Sequence, residues 1–335
     1  MRILVTGGAG MLGRAVTQVL KQSGHAVKCF DLHPSPEPGI ESIIGDIRHP
    51  DDVTRACTGM DALIHTAVMV NQITAKQPAM YDVNVTGTLN VIAGCRAAQV
   101  PRLVYISSID VVFDGTPIRD GDERLPYPKR HLDYYSETKT LAEQAVIAAN
   151  GSGLATCSIR AGGLYGEHDQ HRFPNVIPRV VTTGTFTRIG DGSAVHNHVY
   201  VGNTAYALKL AVERLSAESP LAGQCYFITD HAPGNFFDFF VPFLRALNVP
   251  YKEAHLSEAA ALLVAQAAQR TAFLTRGKLP PITRYAVLAT TRDFSFVSHK
   301  AARDFGYAPI YSQQDAFERT LAWTRETLVE PLTNH

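Results

Sequence analysis

The sequence lacks any excess of one charge: Lys plus Arg and Asp plus Glu both number 31 in 335 residues. A zero balance gives no electrostatic case for nucleic acid or for an anionic membrane surface. It also lacks a long apolar run; none reaches the ~18 residues a transmembrane helix needs. Cysteine is sparse. Cys29, Cys57, Cys95, Cys157 and Cys225 lie far apart, form no CxxC pair and are odd in number. That excludes a standard zinc site and a disulfide framework, and is expected of a reduced, cytoplasmic protein. The opening residues MRILVTGGAG run straight into a strand and a glycine loop, so no signal peptide is read there. Apolar content of 45% and charged content of 19% are those of a globular chain, long enough for one large domain or two smaller ones.

What is present in the first half is alternation. Short apolar runs (RILVTG, HAVKCFD, ESIIGD, DALIHTA, RLVYISS, ATCSIR) are separated by helical patterns, including a long one over 78–99 and another from Tyr135 to about Asn150. Strands alternating with helices imply parallel pairing, and near-continuous apolar strands imply helices on both faces. The expected fold class is α/β, a Rossmann-type doubly wound parallel sheet. After Arg160 the rhythm breaks. Residues 161–200 read as loops with short helices, VGNTAYALKLAVERL as a helix and QCYFITD as a strand returning to the sheet. Residues 231–293 read as mostly helical with a break at LPPIT, and Ser312 with Asp315 as a capping box. The expected division is a dinucleotide-binding domain over 1–165, its sheet completed by about 199–230. A smaller, mostly helical substrate lobe takes 166–198 and 231–335.

The stretch TGGAGMLG places Gly7, Gly10 and Gly13 between the first strand and the first helix. Glycine there permits a tight turn and lets backbone N–H groups approach a pyrophosphate. Asp31 ends the second strand, 18 residues after Gly13. A carboxylate at that place accepts hydrogen bonds from a ribose 2′-OH and repels a 2′-phosphate, favouring NAD over NADP. Arg14 points the other way, since a cation there is suited to a 2′-phosphate. Asp46, in GDI after the third strand, is placed to reach the adenine edge.

DYYSETK sets Tyr135 and Lys139 one helical turn apart. A free phenol, with a pKa near ~10, is a poor base at neutral pH. An ammonium nearby, and the positive ring of an oxidised nicotinamide, would favour the phenolate. Tyr135 would then exchange a proton with a substrate hydroxyl, and Lys139 would also hold the ribose hydroxyls. Ser107 and Ser108 end the fifth strand, at the carboxyl edge where open parallel sheets bind ligands. Either one could fix the substrate oxygen.

TGGAGMLG, DVNVTGT, YISS and YYSETK together resemble the extended short-chain dehydrogenases/reductases. Within them the chain is most similar to the 3β-hydroxysteroid dehydrogenase family, particularly its sterol-4α-carboxylate 3-dehydrogenase branch, through YISSIDVVFDGTPIRDGDERLPYPKRHLDYYSETK, VGNTAYALKLA, CYFITDHAPGNFFDFF and KAARDFGYAPIYSQQDAFERT. The resemblance covers nearly the whole chain. It implies a catalytic trio of Ser108, Tyr135 and Lys139, Ser108 keeping the family spacing to Val111. It implies cofactor contacts at Gly7, Gly10, Met11, Leu12, Gly13, Asp31, Asp46, Ile47, His65, Thr66, Ala67, Tyr135, Lys139, Arg160 and Gly162. NAD is the expected cofactor, with NADP the second option. One departure is Ala161, where the family has proline.

The resemblance also implies an alcohol–ketone oxidoreductase for a bulky apolar substrate, sterol-like or an alkyl β-hydroxy acid. The alternative is a sugar-nucleotide epimerase or dehydratase on the same scaffold. Those enzymes carry an arginine for the diphosphate where HNHVYV has His196, and a neutral imidazole replaces a guanidinium fork poorly. His168, His171, His196 and His198 fit no metal-ligand spacing and are expected to line the cleft, with no metal. NFFDFFVPF is either core or a wall of an apolar pocket. Residues 258–275, a segment steroid relatives use for membrane contact, are interrupted by Gln266, Gln269 and Arg270 and read as a lid or subdomain helix rather than an anchor. A homodimer through 78–99 and 133–150 is implied by the resemblance alone.

Overall fold

The computed structural model describes residues 1–70, 77–275 and 282–333. The break expected at LPPIT lies outside them at 279–281. Seven parallel strands form one sheet: β1 (Arg2–Thr6), β2 (Ala26–Asp31), β3 (Glu41–Ile44), β4 (Ala62–His65), β5 (Arg102–Ser108), β6 (Ala155–Ala161) and β7 (Gln224–Ile228). Their order is β3-β2-β1-β4-β5-β6-β7. The order reverses at β1, and that switch point opens a crevice at the carboxyl edge.

Both faces of the sheet are covered, which is why the strands read as apolar runs. Ile3, Val5, Val104 and Ile106 point to one side, where helices α1 (Met11–Gln22) and α6 (Val201–Arg214) deliver Val16, Leu20, Leu208 and Val212. Leu4, Leu63, Leu103 and Tyr105 point to the other. There they meet Val53 of α2 (Pro50–Cys57), Val91 and Cys95 of α3 (Gly87–Ala97), and Ala142 and Val146 of α4 (Tyr134–Ala148). Burying each large aliphatic side chain contributes about 1.5–3 kcal/mol, so the two layers hold the sheet rigid beneath its carboxyl edge.

A second packing cluster lies beyond that edge. Phe173, Ile177 and Val180 of α5 (Arg172–Thr183) pack with Phe237, Phe240, Phe243, Leu244 and Ala316. The structure departs from the sequence reading in three places. Residues 161–200 hold a helix of 12 residues rather than only short ones. The segment read as mostly helical contains Lys252–Leu256, which pairs in parallel with Thr185–Ile189, a partner far off in sequence. Finally, the long helix expected over 78–99 is interrupted by a π turn at Asp82–Thr86. There the buried Asn84 uses its amide on Met69 N and O and on Thr138 Oγ1, tying the loop after β4 to α4.

Candidate active site

The glycine loop is shaped by close approach. Gly7 has φ +71°, and a Cβ on Gly13 would sit 2.0 Å from Gly7 O and 2.6 Å from Gly8 Cα. Only glycine lets α1 start that near the strand. Gly10, the N-cap of α1, provides no side-chain cap, so the first-turn N–H groups are left for an anion. Asp31 closes the loop from β2, its Oδ2 accepting from Ala9 N at 3.1 Å. Arg14, the residue that argued for a 2′-phosphate, is taken by Glu37: its Nε donates to Oε1 at 2.6 Å. Cradle, uncapped helix and strand-end acid together fit a dinucleotide with a free 2′-OH.

A cavity of about 1190 Å³ runs from this loop across the carboxyl edge into the second cluster. Gly7, Gly10, Met11, Leu12, Gly13, Asp31, Asp46, Ile47, Thr66, Ala67 and Gly162 line it, as do Ser108, Tyr135 and Lys139. Two residues that the resemblance placed among cofactor contacts lie elsewhere. His65 is fully buried inside β4, sharing hydrogen bonds with Thr6 Oγ1 at 2.6 Å and Thr88 Oγ1 at 3.0 Å. Burial pushes its pKa down to about 3, so it is a neutral strut between β1 and α3. Arg160 is likewise buried and turns to Glu143, donating at 3.0 and 2.7 Å. Glu143 also accepts from Ser158 at 2.7 Å and Tyr127 at 2.8 Å. This network braces α4 against β6. The two positions face the layers because strand side chains alternate, while their neighbours Thr66 and Ala161 meet the cavity.

Asp133 caps α4 by accepting from Ser136 N at 2.7 Å, and so fixes the first turn that carries Tyr135. Lys139, one turn on, is buried. Its Nζ donates to Ile106 O at 2.6 Å and stands 4.2 Å from the centroid of the Tyr105 ring. Burial pulls its pKa down to about 7. The helical spacing alone has this ammonium lowering the pKa of Tyr135. Instead burial, with Asp110 and Asp133 nearby, pushes Tyr135 well above the ordinary phenol value, and the Ser108 hydroxyl opposes them. At the phenol, burial and these carboxylates outweigh the neighbouring ammonium.

The two serines separate cleanly. Ser108 Oγ donates to Asp110 Oδ2 at 2.7 Å, beside Tyr135, while the Ser107 hydroxyl is buried on the side of Glu143. Asp110 also accepts from Tyr285 OH at 2.5 Å. Burial raises its pKa to about 6. Asp110 and Tyr285 both line the cavity and were missed in the sequence. Asp110 had a local signal, two residues past Ser108. Tyr285 had none, because it comes from the far lobe.

Across the cavity stand Phe236, Phe237 and Phe240, so the phenylalanine segment is core on one side and wall on the other. Of the four histidines, His171 and His196 line the cavity, and His198 stacks on Phe239 with centroids 4.1 Å apart. Burial brings His196 down to about 4, a neutral imidazole at the place where sugar-nucleotide enzymes carry arginine.

Residues 4–257 match the 3-beta hydroxysteroid dehydrogenase/isomerase family. The chain is 36% identical over 332 residues to the 3 beta-hydroxysteroid dehydrogenase/Delta 5→4-isomerase of Mycobacterium tuberculosis, covering 96% of this chain and 90% of that one. It is 34% identical over 328 residues to the 2-alkyl-3-oxoalkanoate reductase of Stenotrophomonas maltophilia, covering 96% and 99%. In fold it is similar to the UDP-glucose 4-epimerase of Thermus thermophilus in complex with NAD, with a TM-score of 0.76 at 22% identity over 98% of this chain and 100% of that one. With its parallel sheet, glycine cradle and Tyr–Lys turn, the chain belongs to the 3β-hydroxysteroid dehydrogenase/isomerase family of extended short-chain dehydrogenases/reductases and is an NAD(P)-dependent oxidoreductase.

Proposed function

We propose that the protein interconverts a secondary alcohol and a ketone on a bulky apolar substrate, with NAD preferred. One observation supports this above all. Tyr135 and Ser108 line the same cavity as the glycine loop and the wall of Phe236, Phe237 and Phe240. Asp31 at the strand end, with Arg14 neutralised by Glu37, supports NAD over NADP. The cofactor-contact set is then the lining residues of the glycine loop, Asp31, Asp46, Ile47, Thr66, Ala67, Lys139 and Gly162.

In the oxidative direction Ser108 holds the substrate oxygen and Tyr135 takes its proton. The O–H and C–H bonds break, and the C=O π bond forms. Bound NAD⁺ supplies the hydride acceptor and a positive ring that favours the phenolate. Lys139, which lines the cavity from α4, would hold the ribose hydroxyls of a bound cofactor, and Asp110 orients Ser108. The two relatives' names suggest two substrate shapes, a 3β-hydroxysterol and an alkyl 3-hydroxy acid, both with an oxygen beside an apolar body.

We further infer a substrate lobe over 166–198 and 231–335 and a cytoplasmic homodimer. The exposed Tyr81, Leu89 and Leu141 on the helices of 77–97 and α4 support the dimer face. Leu263 and Val264 are exposed on the helix Glu258–Thr275, and no helix among the described residues is long and apolar enough to cross a membrane.

A panel of 3β-hydroxysterols, long-chain 3-hydroxyalkanoates and UDP-sugars, each incubated with NAD⁺ and followed by NADH absorbance, tests the reading. NADH formation with one of the first two classes is expected. Conversion of a UDP-sugar without net NADH would instead support epimerisation.

A further inference from the structure

Arg160 and Arg172 are both drawn out of solvent near the cavity, while Arg179, which also lines it, is exposed. Arg160 is paired with Glu143. Arg172, at the start of α5, lines the cavity with no carboxylate in ion-pair distance among the described residues. Its NH1 donates to Gly163 O, and its NH2 shares a 2.7 Å hydrogen bond with His198 Nδ1. Its guanidinium carbon lies 5.3 Å from the centroid of Phe236 and 5.2 Å from that of Phe239. The nearest acid in sequence is Asp169, which is committed to backbone. It accepts from His171 N, Arg172 N and Phe173 N at 2.8, 3.1 and 2.9 Å.

A cation that gives up water without gaining a carboxylate is costly to hold. Burial draws Arg172 down to about 10, which still leaves it charged at neutral pH. Its neighbours do not share the load, since His198 and His196 are kept neutral by burial and by Arg172 itself. The fork is thus held by a carbonyl, an imidazole and phenyl faces, and it lines the cavity. Arg172 lines the same cavity as Tyr285, whose hydroxyl donates to Asp110, which accepts from Ser108.

We propose that Arg172 is a specificity-determining residue that pairs with a carboxylate on the substrate, so that the protein acts on hydroxy acids and their keto acids in preference to neutral alcohols. This rests on the alcohol–ketone reading above. A monovalent carboxylate matches a single guanidinium fork in charge and geometry. A diphosphate carries more charge than this fork neutralises, and the wall beyond it is phenyl and aliphatic. The Arg172 pair anchors the acid end while the alkyl body lies against Phe236 and Phe240 and the carbinol reaches Ser108 and Tyr135.

The test uses wild-type, R172Q and R172K proteins with NAD⁺ on a long-chain 3-hydroxyalkanoate and on its methyl ester. NADH binding by fluorescence checks that each variant is folded. The wild type is expected to favour the acid. R172Q should lower kcat/KM for the acid roughly 10- to 100-fold, through KM, the loss expected for one charged hydrogen-bonded pair, and leave the ester nearly unchanged. R172K should fall between, and it decides the matter if R172Q fails to bind NADH. Equal turnover of acid and ester by the wild type, or an equal loss on both in the variants, overturns the assignment while the alcohol–ketone reading stands. Absence of any turnover with both, alongside conversion of a UDP-sugar, sinks that reading and this inference with it.

Discussion

Replacing Asp110 by asparagine should change stability by an amount that depends on pH. The carboxylate sits between Ser108 and Tyr285, and burial raises its pKa from 3.8 to about 6. A folded-state value above the unfolded one means the native protein binds the proton more tightly. The charged carboxylate therefore costs stability above the folded value, and that cost disappears as pH falls through 6 toward 4. A shift of this size corresponds to about 3 kcal/mol. That cost is already net of the hydrogen bonds from Ser108 and Tyr285, which oppose burial. Asparagine, close in shape to the neutral acid, should therefore match the wild type at about pH 3 and be more stable by up to about 3 kcal/mol at about pH 8. Urea unfolding of wild type and D110N across that range measures the difference. It should swing by about 3 kcal/mol in favour of the variant as pH rises through the interval between the two pKa values. A difference that stays flat with pH would refute the burial argument for Asp110.

Two further outcomes follow from the same geometry. D31S removes the acceptor for a 2′-OH while leaving Arg14 tied to Glu37. NADH affinity measured by fluorescence should fall about tenfold, a loss of one charged hydrogen bond, with NADPH affinity unchanged or improved; an unchanged NADH affinity would contradict the role given to Asp31. E143Q strips the buried Arg160 of its carboxylate. It should cost about 3–5 kcal/mol, read as a lowered midpoint in calorimetry, and an unaltered midpoint would show that the network does not brace α4.

Much of the fold could be read from residue patterns because the physics was local. The apolar strands, the glycine loop against β1, and the Ser312–Asp315 capping box each announce themselves within a few residues. What stayed hidden is what depends on distant partners. Lys252–Leu256 is a polar segment that becomes a strand only because Thr185–Ile189 is there to receive it. His65 and Arg160 sit at the carboxyl ends of the right strands, yet strand alternation turns them inward to Thr88 and Glu143. Lys139 kept its place one turn from Tyr135, but its ammonium was claimed by Ile106 O, a contact no helical spacing reveals. Tyr285 joins Asp110 from 175 residues away. Arg172 stands out only once every nearby carboxylate is seen to be engaged elsewhere.

The phenol of Tyr135 is the hinge of the mechanism, and Tyr135→Phe isolates it, removing one oxygen from a ring otherwise left in place. Turnover of the best alcohol found in the substrate panel should drop by a factor of about 10²–10⁴, the range for a lost general acid–base group, with NADH affinity preserved. Full turnover by the phenylalanine variant would show that the proton leaves by another route.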